Sequence, residues 1–245
     1  MSCFASGEST AVTGILSGTV TSTSFTMNVT VSGAAKTGEY NLSILNGDYG
    51  IGGCITCVKV EIIPTVTSVT PSNIGQAASR RVITITGSGF VTGATVICSN
   101  SAVTFSSVLV KSSTQITAKV TVKSTAKTGA ATLTVTDPGQ GSVSKAAAIT
   151  IDVAPHPTSV SPMSARQGAV SATVYVKGTS FVPKDTVKFS GSGVTDSVVS
   201  NVGSTEIELK VTVAKTASVT KYSVTVVNPD GGTATCTNCF SVVKA

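Results

Sequence analysis

Tryptophan is absent from these 245 residues, tyrosine occurs four times and phenylalanine seven. A core made here is built from Val, Ile, Leu and Ala rather than from rings. The same scarcity removes the aromatic platforms on which sugar sites usually rest. It also leaves no basic run interleaved with aromatics of the kind that binds single-stranded nucleic acid. Histidine occurs once, as His156 between Pro155 and Pro157, so no Ser-His-Asp or Cys-His set can be assembled around it. Charged residues make up only 11% of the chain. No apolar run approaches the roughly 20 residues of a membrane-spanning helix, and no long window keeps a 3.6-residue period. Met1-Ser2-Cys3 does not open a charged-then-apolar leader. Two origins fit that opening: a mature or truncated fragment of a secreted protein, or a virion protein that needs no secretion.

What is abundant is Val, Ser and Thr, which favour strands and turns over helices, and they recur in register every 91 residues. Val29-Thr30-Val31 falls on Val120-Thr121-Val122 and on Val211-Thr212-Val213. Ala102-Val103-Thr104 is preceded by Ala11-Val12-Thr13 and followed by Gly193-Val194-Thr195. The turn Asn46-Gly47-Asp48 falls on Asp137-Pro138-Gly139 and Asn228-Pro229-Asp230. A period this long is a whole domain, not a solenoid unit. The implied organisation is an incomplete copy at 1–63, a complete copy at 64–154 and another at 155–245. The first copy lacks counterparts of Pro64–Val91, which read as two strands. A string of copies argues for a spacer, stalk or lattice component before it argues for an enzyme.

Charge is distributed unevenly. Residues 1–63 carry net −2, residues 64–154 net +5 and residues 155–245 net +3. An acidic end and a basic body favour head-to-tail contacts. The plainer reading of Lys119 and Lys123 is a solvent face that discourages edge-to-edge aggregation.

The second copy shows the strand pattern best. Val66–Val69, Arg81–Thr86, Thr95–Cys98, Val108–Val110, Gln115–Val122, Ala131–Val135 and Ala147–Ile151 are short β-favouring runs separated by turn signals. About seven such runs in some 90 residues are the pattern of an antiparallel two-sheet sandwich. Pro64-Thr-Val-Thr-Ser-Val-Thr-Pro71, Gly75, Val82-Ile-Thr-Ile-Thr-Gly87-Ser-Gly89-Phe90 and Gly93-Ala-Thr-Val96 together resemble the IPT/TIG immunoglobulin-like domain. The third copy repeats Pro157-Thr-Ser-Val160-Ser-Pro162, Gly168, Gly178-Thr-Ser-Phe181 and the closing Asn228-Pro-Asp-Gly-Gly232. The resemblance covers about three quarters of the chain and implies an all-β fold of tandem immunoglobulin-like sandwiches, the first incomplete. It implies a binding or spacing module rather than a particular activity. Phe90 and Phe181 are expected to plug the ends of their sandwiches, and the prolines at the junctions to stiffen the links.

Cysteines are the only candidates for chemistry. Cys54-Ile-Thr-Cys57 and Cys236-Thr-Asn-Cys239 occupy the same place in copies one and three, where copy two has Lys145 and Ala148. Zinc would need both pairs to meet, and equivalent sites two domains apart should not. A redox site of the thioredoxin kind needs a helix N-terminus. A local disulfide in each pair is the expectation, with free buried thiols and metal as the alternatives. In an extended strand the two Cα atoms would lie about 10 Å apart, too far to bridge, so each pair requires a turn or bulge. Such a bridge would stabilise by about 2 kcal/mol and would place the protein outside a reducing cytoplasm. Cys3 and Cys98 remain as buried free thiols or as a link to another chain. Asp152 and Glu61 near the junctions are too few acids for calcium. Asn28-Val-Thr30 and Asn41-Leu-Ser43 match the glycan acceptor pattern.

These readings converge on a non-enzymatic extracellular structural protein. It would be a stalk, fibre or filament subunit of a cell surface, assembling by strand addition or head-to-tail contacts. The alternatives are a phage virion component, such as a capsid decoration or tail protein, and a carbohydrate-binding or adhesion module. Catalytic, cofactor-binding and metal residues are expected to be none. The expected partners are further copies of the chain or other surface or virion proteins, with glycans as the other option, and neither nucleic acid nor a membrane span.

Overall fold

The computed structural model describes residues 2–6, 12–21, 23–33, 35–45, 49–139 and 141–245. The Asn46-Gly47-Asp48 turn and Ala11 lie outside the described residues. The chain divides into two compact units, Met1–Ile63 and Pro64–Ala245. Among the described residues the regular elements are all strands. In the first unit, β1 (Ser2–Ser6), β2 (Val12–Leu16), β3 (Met27–Val31), β4 (Gly38–Leu45) and β5 (Ile51–Val60) form one antiparallel sheet in the order β3-β2-β1-β4-β5.

The second unit holds two sandwiches. The first comprises β6 (Thr65–Thr70), β7 (Asn73–Gly75), β8 (Arg81–Ser88), β9 (Thr95–Cys98), β10 (Val103–Ser112), β11 (Gln115–Val122), β12 (Gly129–Asp137) and β13 (Gly141–Asp152). Its sheets run β10-β11-β8-β6 and β7-β13-β12-β9. The other comprises β14 (His156–Ser161), β15 (Ser164–Arg166), β16 (Ala172–Thr179), β17 (Thr186–Phe189), β18 (Val194–Val202), β19 (Glu206–Val213), β20 (Lys221–Val227) and β21 (Thr233–Val243). Its sheets, β18-β19-β16-β14 and β15-β21-β20-β17, repeat the order of the first strand for strand. The fold is all-β, with tandem immunoglobulin-like sandwiches.

Alternation explains the cores. Along β11, Ile116, Ala118, Val120 and Val122 are buried while the residues between them are not. Ile83 and Ile85 of β8 and Leu133 and Ile149 of the facing sheet close the same core at 0–1% exposure. In the third copy Val174, Val176, Ile207, Leu209, Val211 and Phe240 are all fully buried. Each such side chain contributes roughly 1.5–3 kcal/mol. Phe90 and Phe181 are 3% and 2% exposed and belong to these cores. Gly87 and Gly178 are required by close approach: a Cβ there would overlap the carbonyls of Thr65 and His156.

The structure corrects the expected all-antiparallel arrangement in one place. Each sandwich has eight strands, and the short β7 and β15 pair in parallel with β13 and β21. Pro71 and Pro162 are the cause. Proline donates no ladder hydrogen bond, so the opening strand stops there and the chain crosses to the opposite sheet.

Candidate functional site

The cysteine pairs sit on a bulge that every copy makes. The register slips between Tyr40 and Leu42 on β4, between Ala131 and Leu133 on β12, and between Tyr222 and Val224 on β20. These are one position at the 91-residue spacing. Opposite each slip, one residue takes the left-handed backbone region: Thr56 (φ 56°), Ala147 (φ 49°) and Asn238 (φ 55°). The bulge shortens the span, so Cys54 and Cys57 have Cα atoms 5.8 Å apart, and so do Cys236 and Cys239. That lies within the range a disulfide bridges, and each pair is joined. Cys236 is buried, whereas Cys54 and Cys57 are exposed. Side chains on the neighbouring strand hold the bulge: Asn41 Oδ1 accepts the Thr56 N–H at 2.8 Å, and Ser223 Oγ accepts the Asn238 N–H at 3.0 Å. Copy two makes the same bulge with Lys145 and Ala148 in the cysteine positions. The bulge is therefore a property of the repeat, and the cysteines occupy it.

Other sequence-marked residues are dispersed. Cys98 is half-buried on β9, its sulfur accepting the Asn100 N–H at 3.4 Å, and burial pushes its thiol pKa up. Cys3 lies on β1, with its side chain outside the described residues. His156 is exposed at the start of β14. Asn28 is exposed on β3, and the Asn41 amide oxygen is engaged by the bulge. Among the described residues no group of three His, Cys, Asp or Glu side chains is placed to hold a metal ion, and no helix is long and apolar enough to cross a membrane.

Two further features emerge from the structure. One is a joint between the two sandwiches. The Gly75 N–H donates to Asp230 O at 3.2 Å, and the Thr233 N–H donates to Gln76 O at 3.3 Å. Gln76 organises this end: its Nε2 donates to Ala126 O at 2.6 Å and its Oε1 accepts the Ala154 N–H at 3.2 Å. Gln167, one period later, makes the matching bond to Ala217 O at 2.7 Å. The identity of Gln76 and Gln167 at the repeat spacing was the available signal. Gly75 lies so close to Gly232 and Asp230 that no Cβ fits.

The other feature is the apolar face of the first unit's sheet. The register sets Val12 opposite Val31 and Leu16 opposite Met27, with Val29 between them, so these side chains share one face. Leu42 and Ile44 join it through β1, where Cys3 pairs with both Gly14 and Ile44. Thr13, Thr30, Asn28 and Ser43 lie on the other. At the same repeat positions Val120 and Val122 are 0% and 2% exposed, and Val211 and Val213 are 0% and 1%. Val29 and Val31 are 43% and 48% exposed.

Residues 64–151 match the family described as the IPT/TIG domain. No curated protein matches the chain. Among solved structures, the chain is similar to a three-domain piece of titin (I67–I69), at 16% identity over 95% of this chain and 82% of that one, with a TM-score of 0.34. It is similar to the Yersinia pseudotuberculosis adhesin InvE at 20% identity, covering 72% of this chain and 58% of that one, with a TM-score of 0.29. It is also similar to domains 5–6 of the S-layer protein SbsC at 15% identity, covering 74% and 99%, with a TM-score of 0.26.

Proposed function

We propose that this protein is a non-enzymatic structural module of the extracellular space, a tandem immunoglobulin-like stalk, fibre or filament subunit that associates with further copies of itself. The observation that carries this reading is the joint. Two sandwiches of one topology meet through backbone hydrogen bonds: the Gly75 N–H donates to Asp230 O, and Gln76 O accepts the Thr233 N–H. Direct backbone bonds between successive domains suit a spacer that holds its parts at a set distance. The cysteine pairs support an oxidising location, because a CxxC on a β-bulge has no helix N-terminus to activate a thiolate and reads as a staple.

The test is protease shaving and immunogold labelling of the producing cells, combined with the mass of the unreduced protein. Surface label and a mass about 4 Da below the fully reduced value, two hydrogens lost per bridge, are expected. Protein confined to the cytosol with four alkylatable thiols at Cys54, Cys57, Cys236 and Cys239 would sink the reading. Recovery in purified virions would move the same structural role to a particle.

A further inference from the structure

We infer that the cleft beside Ala131 is a socket for a tyrosine side chain, and that Tyr49 of a second copy of this chain fills it. The socket rests on the assembling role proposed above and gives it a specific contact.

The repeat defines the socket. Tyr40, Ala131 and Tyr222 fall on one position of the 91-residue spacing, as do Lys36, Lys127 and Ser218. Tyr222 is 3% exposed, and its hydroxyl donates to Ser218 O at 3.1 Å and to Ser192 O at 3.4 Å. The Tyr40 hydroxyl donates to Lys36 O at 2.8 Å. Copies one and three thus hold this end of the domain with a phenol bonded to the backbone. Copy two has only the Ala131 methyl. Asn100 Nδ2 takes over the hydrogen bond, donating to Lys127 O at 2.9 Å, and the volume of the ring is left open. A cleft of about 310 Å³ lies here, lined by Ser99, Asn100, Ser101, Lys127, Ala130 and Ala131 among others. A cavity of about 150 Å³ already holds benzene, so a phenol ring has room. The alanine methyls offer it apolar contact. Ser101 O is the counterpart of Ser192 O, which accepts the Tyr222 hydroxyl in copy three.

The same chain supplies the peg. Of its four tyrosines, Tyr40 and Tyr222 occupy such slots, Tyr175 is half-buried, and Tyr49 is 85% exposed. Tyr49 stands between β4 and β5 in the left-handed backbone region (φ 66°), which bulky residues rarely enter. Its repeat counterparts are Gln140 and Gly231, so the peg is particular to copy one as the socket is to copy two. Ile51 beside it is 78% exposed. A free phenol in the cleft would leave Tyr49 and Ile51 bare, whereas a second copy's hairpin fills the cleft and covers both. An exposed tyrosine entering a pocket is the kind of residue that dominates protein contacts. Charge agrees: Asp48 precedes Tyr49, Lys127 lines the cleft, and net −2 over residues 1–63 meets net +5 over 64–154. Every chain carries both peg and socket, so the contact can pass from copy to copy.

The experiment uses the full oxidised chain. Sedimentation velocity over a concentration series should show self-association. Tyr49→Ala should weaken it roughly tenfold or more, and Tyr49→Phe about threefold, for the lost hydroxyl bond. The probe for the socket is 4-methylphenol, the tyrosine side chain alone. It should shift the Ser101, Lys127 and Ala131 amide resonances saturably and compete with self-association. Asn100→Gly with Ala131→Tyr installs the pair that copy three carries as Gly191 and Tyr222, and should abolish both the shifts and the association. If that variant does not fold, Tyr49→Ala and the probe still decide. Absence of shifts at these amides overturns the socket. A chain that stays monomeric while 4-methylphenol binds, or association unchanged by Tyr49→Ala, overturns the second copy as its occupant. A surface filament held by other contacts would survive either result, so socket and proposed role can fail separately.

Discussion

Val91 and Val182 occupy the same position in two copies, yet different carboxylates receive their amides. Asp137 Oδ1 accepts the Val91 N–H at 3.4 Å, and Asp185 Oδ2 accepts the Val182 N–H at 3.0 Å. Where copy two has Asp137, copy three has Asn228, whose Nδ2 reaches Ser180 O at 3.4 Å. Asp137 is 1% exposed, its Oδ2 is buried without a hydrogen-bond partner, and burial pushes its carboxyl pKa up. A raised folded-state pKa means that the folded form binds the proton more tightly. The contribution of this carboxyl to stability is therefore greatest below the unfolded value near 3.8 and is lost as pH rises through the raised one. Asp137→Asn should then stabilise residues 64–154 at neutral pH by about 1 kcal/mol. The gain should vanish near pH 3, where both forms are neutral. Thermal melts of the two proteins at the two pH values check this, and a gain that persists in acid would show that charge is not its source.

At the scale of the element, the bulge at Thr56, Ala147 and Asn238 is a conformation first and a disulfide site second. Copy two supplies the control, since it makes the bulge with no cysteine. Lys145→Cys with Ala148→Cys should therefore create a third bridge without rearranging β13. Unreduced mass should drop by a further two hydrogens, and the domain should gain about 2 kcal/mol on the chain-entropy account. Two free thiols in the folded variant would mean that the cysteines themselves impose the geometry in copies one and three. Another strand of the same copy shows where alternation misleads. Val103–Ser112 is one strand, but its register slips between Ser106 and Leu109, and Ser107 adopts a φ of 51°. That slip interrupts the period of two, and only Val108–Val110 reads as strand from the sequence. Gln115–Val122 has no bulge and is legible with its observed ends.

At the scale of the molecule, the joint between the sandwiches is encoded in one small residue. Gly75 admits Gly232 and Asp230 at distances a side chain would forbid. Its counterpart in copy three is Arg166, on β15 in the same parallel pairing. A side chain at this place is thus compatible with the sandwich and incompatible with the joint. Gly75→Arg should leave the melting of each domain within about 0.5 kcal/mol, as for surface changes, and uncouple the two. Residual dipolar couplings measured on 64–154 and 155–245 should fit one alignment tensor before the substitution and need two after it. A single shared tensor in the variant would mean that the Pro155-His156-Pro157 link, not the Gly75 contact, holds the domains.

The period of 91 residues, the strand class and the core positions were settled by the sequence alone, because each is a local pattern. Val120 faces inward beside Val122 for a reason contained in the alternation of Gln115–Val122, whatever the strand pairs with. The positions of the cysteine pairs, and the need for a turn or bulge at each, were equally legible from three-residue spacing and strand geometry. Tertiary structure decided which strands become partners. Parallel pairing of β7, the Gln76 contacts at the joint and the opening of β1–β5 into a single sheet each depend on groups distant in sequence. Backbone hydrogen-bonding capacity is identical at nearly every residue, so the sequence says which side chains share a face and leaves the choice of neighbour to the geometry of the assembled sheets.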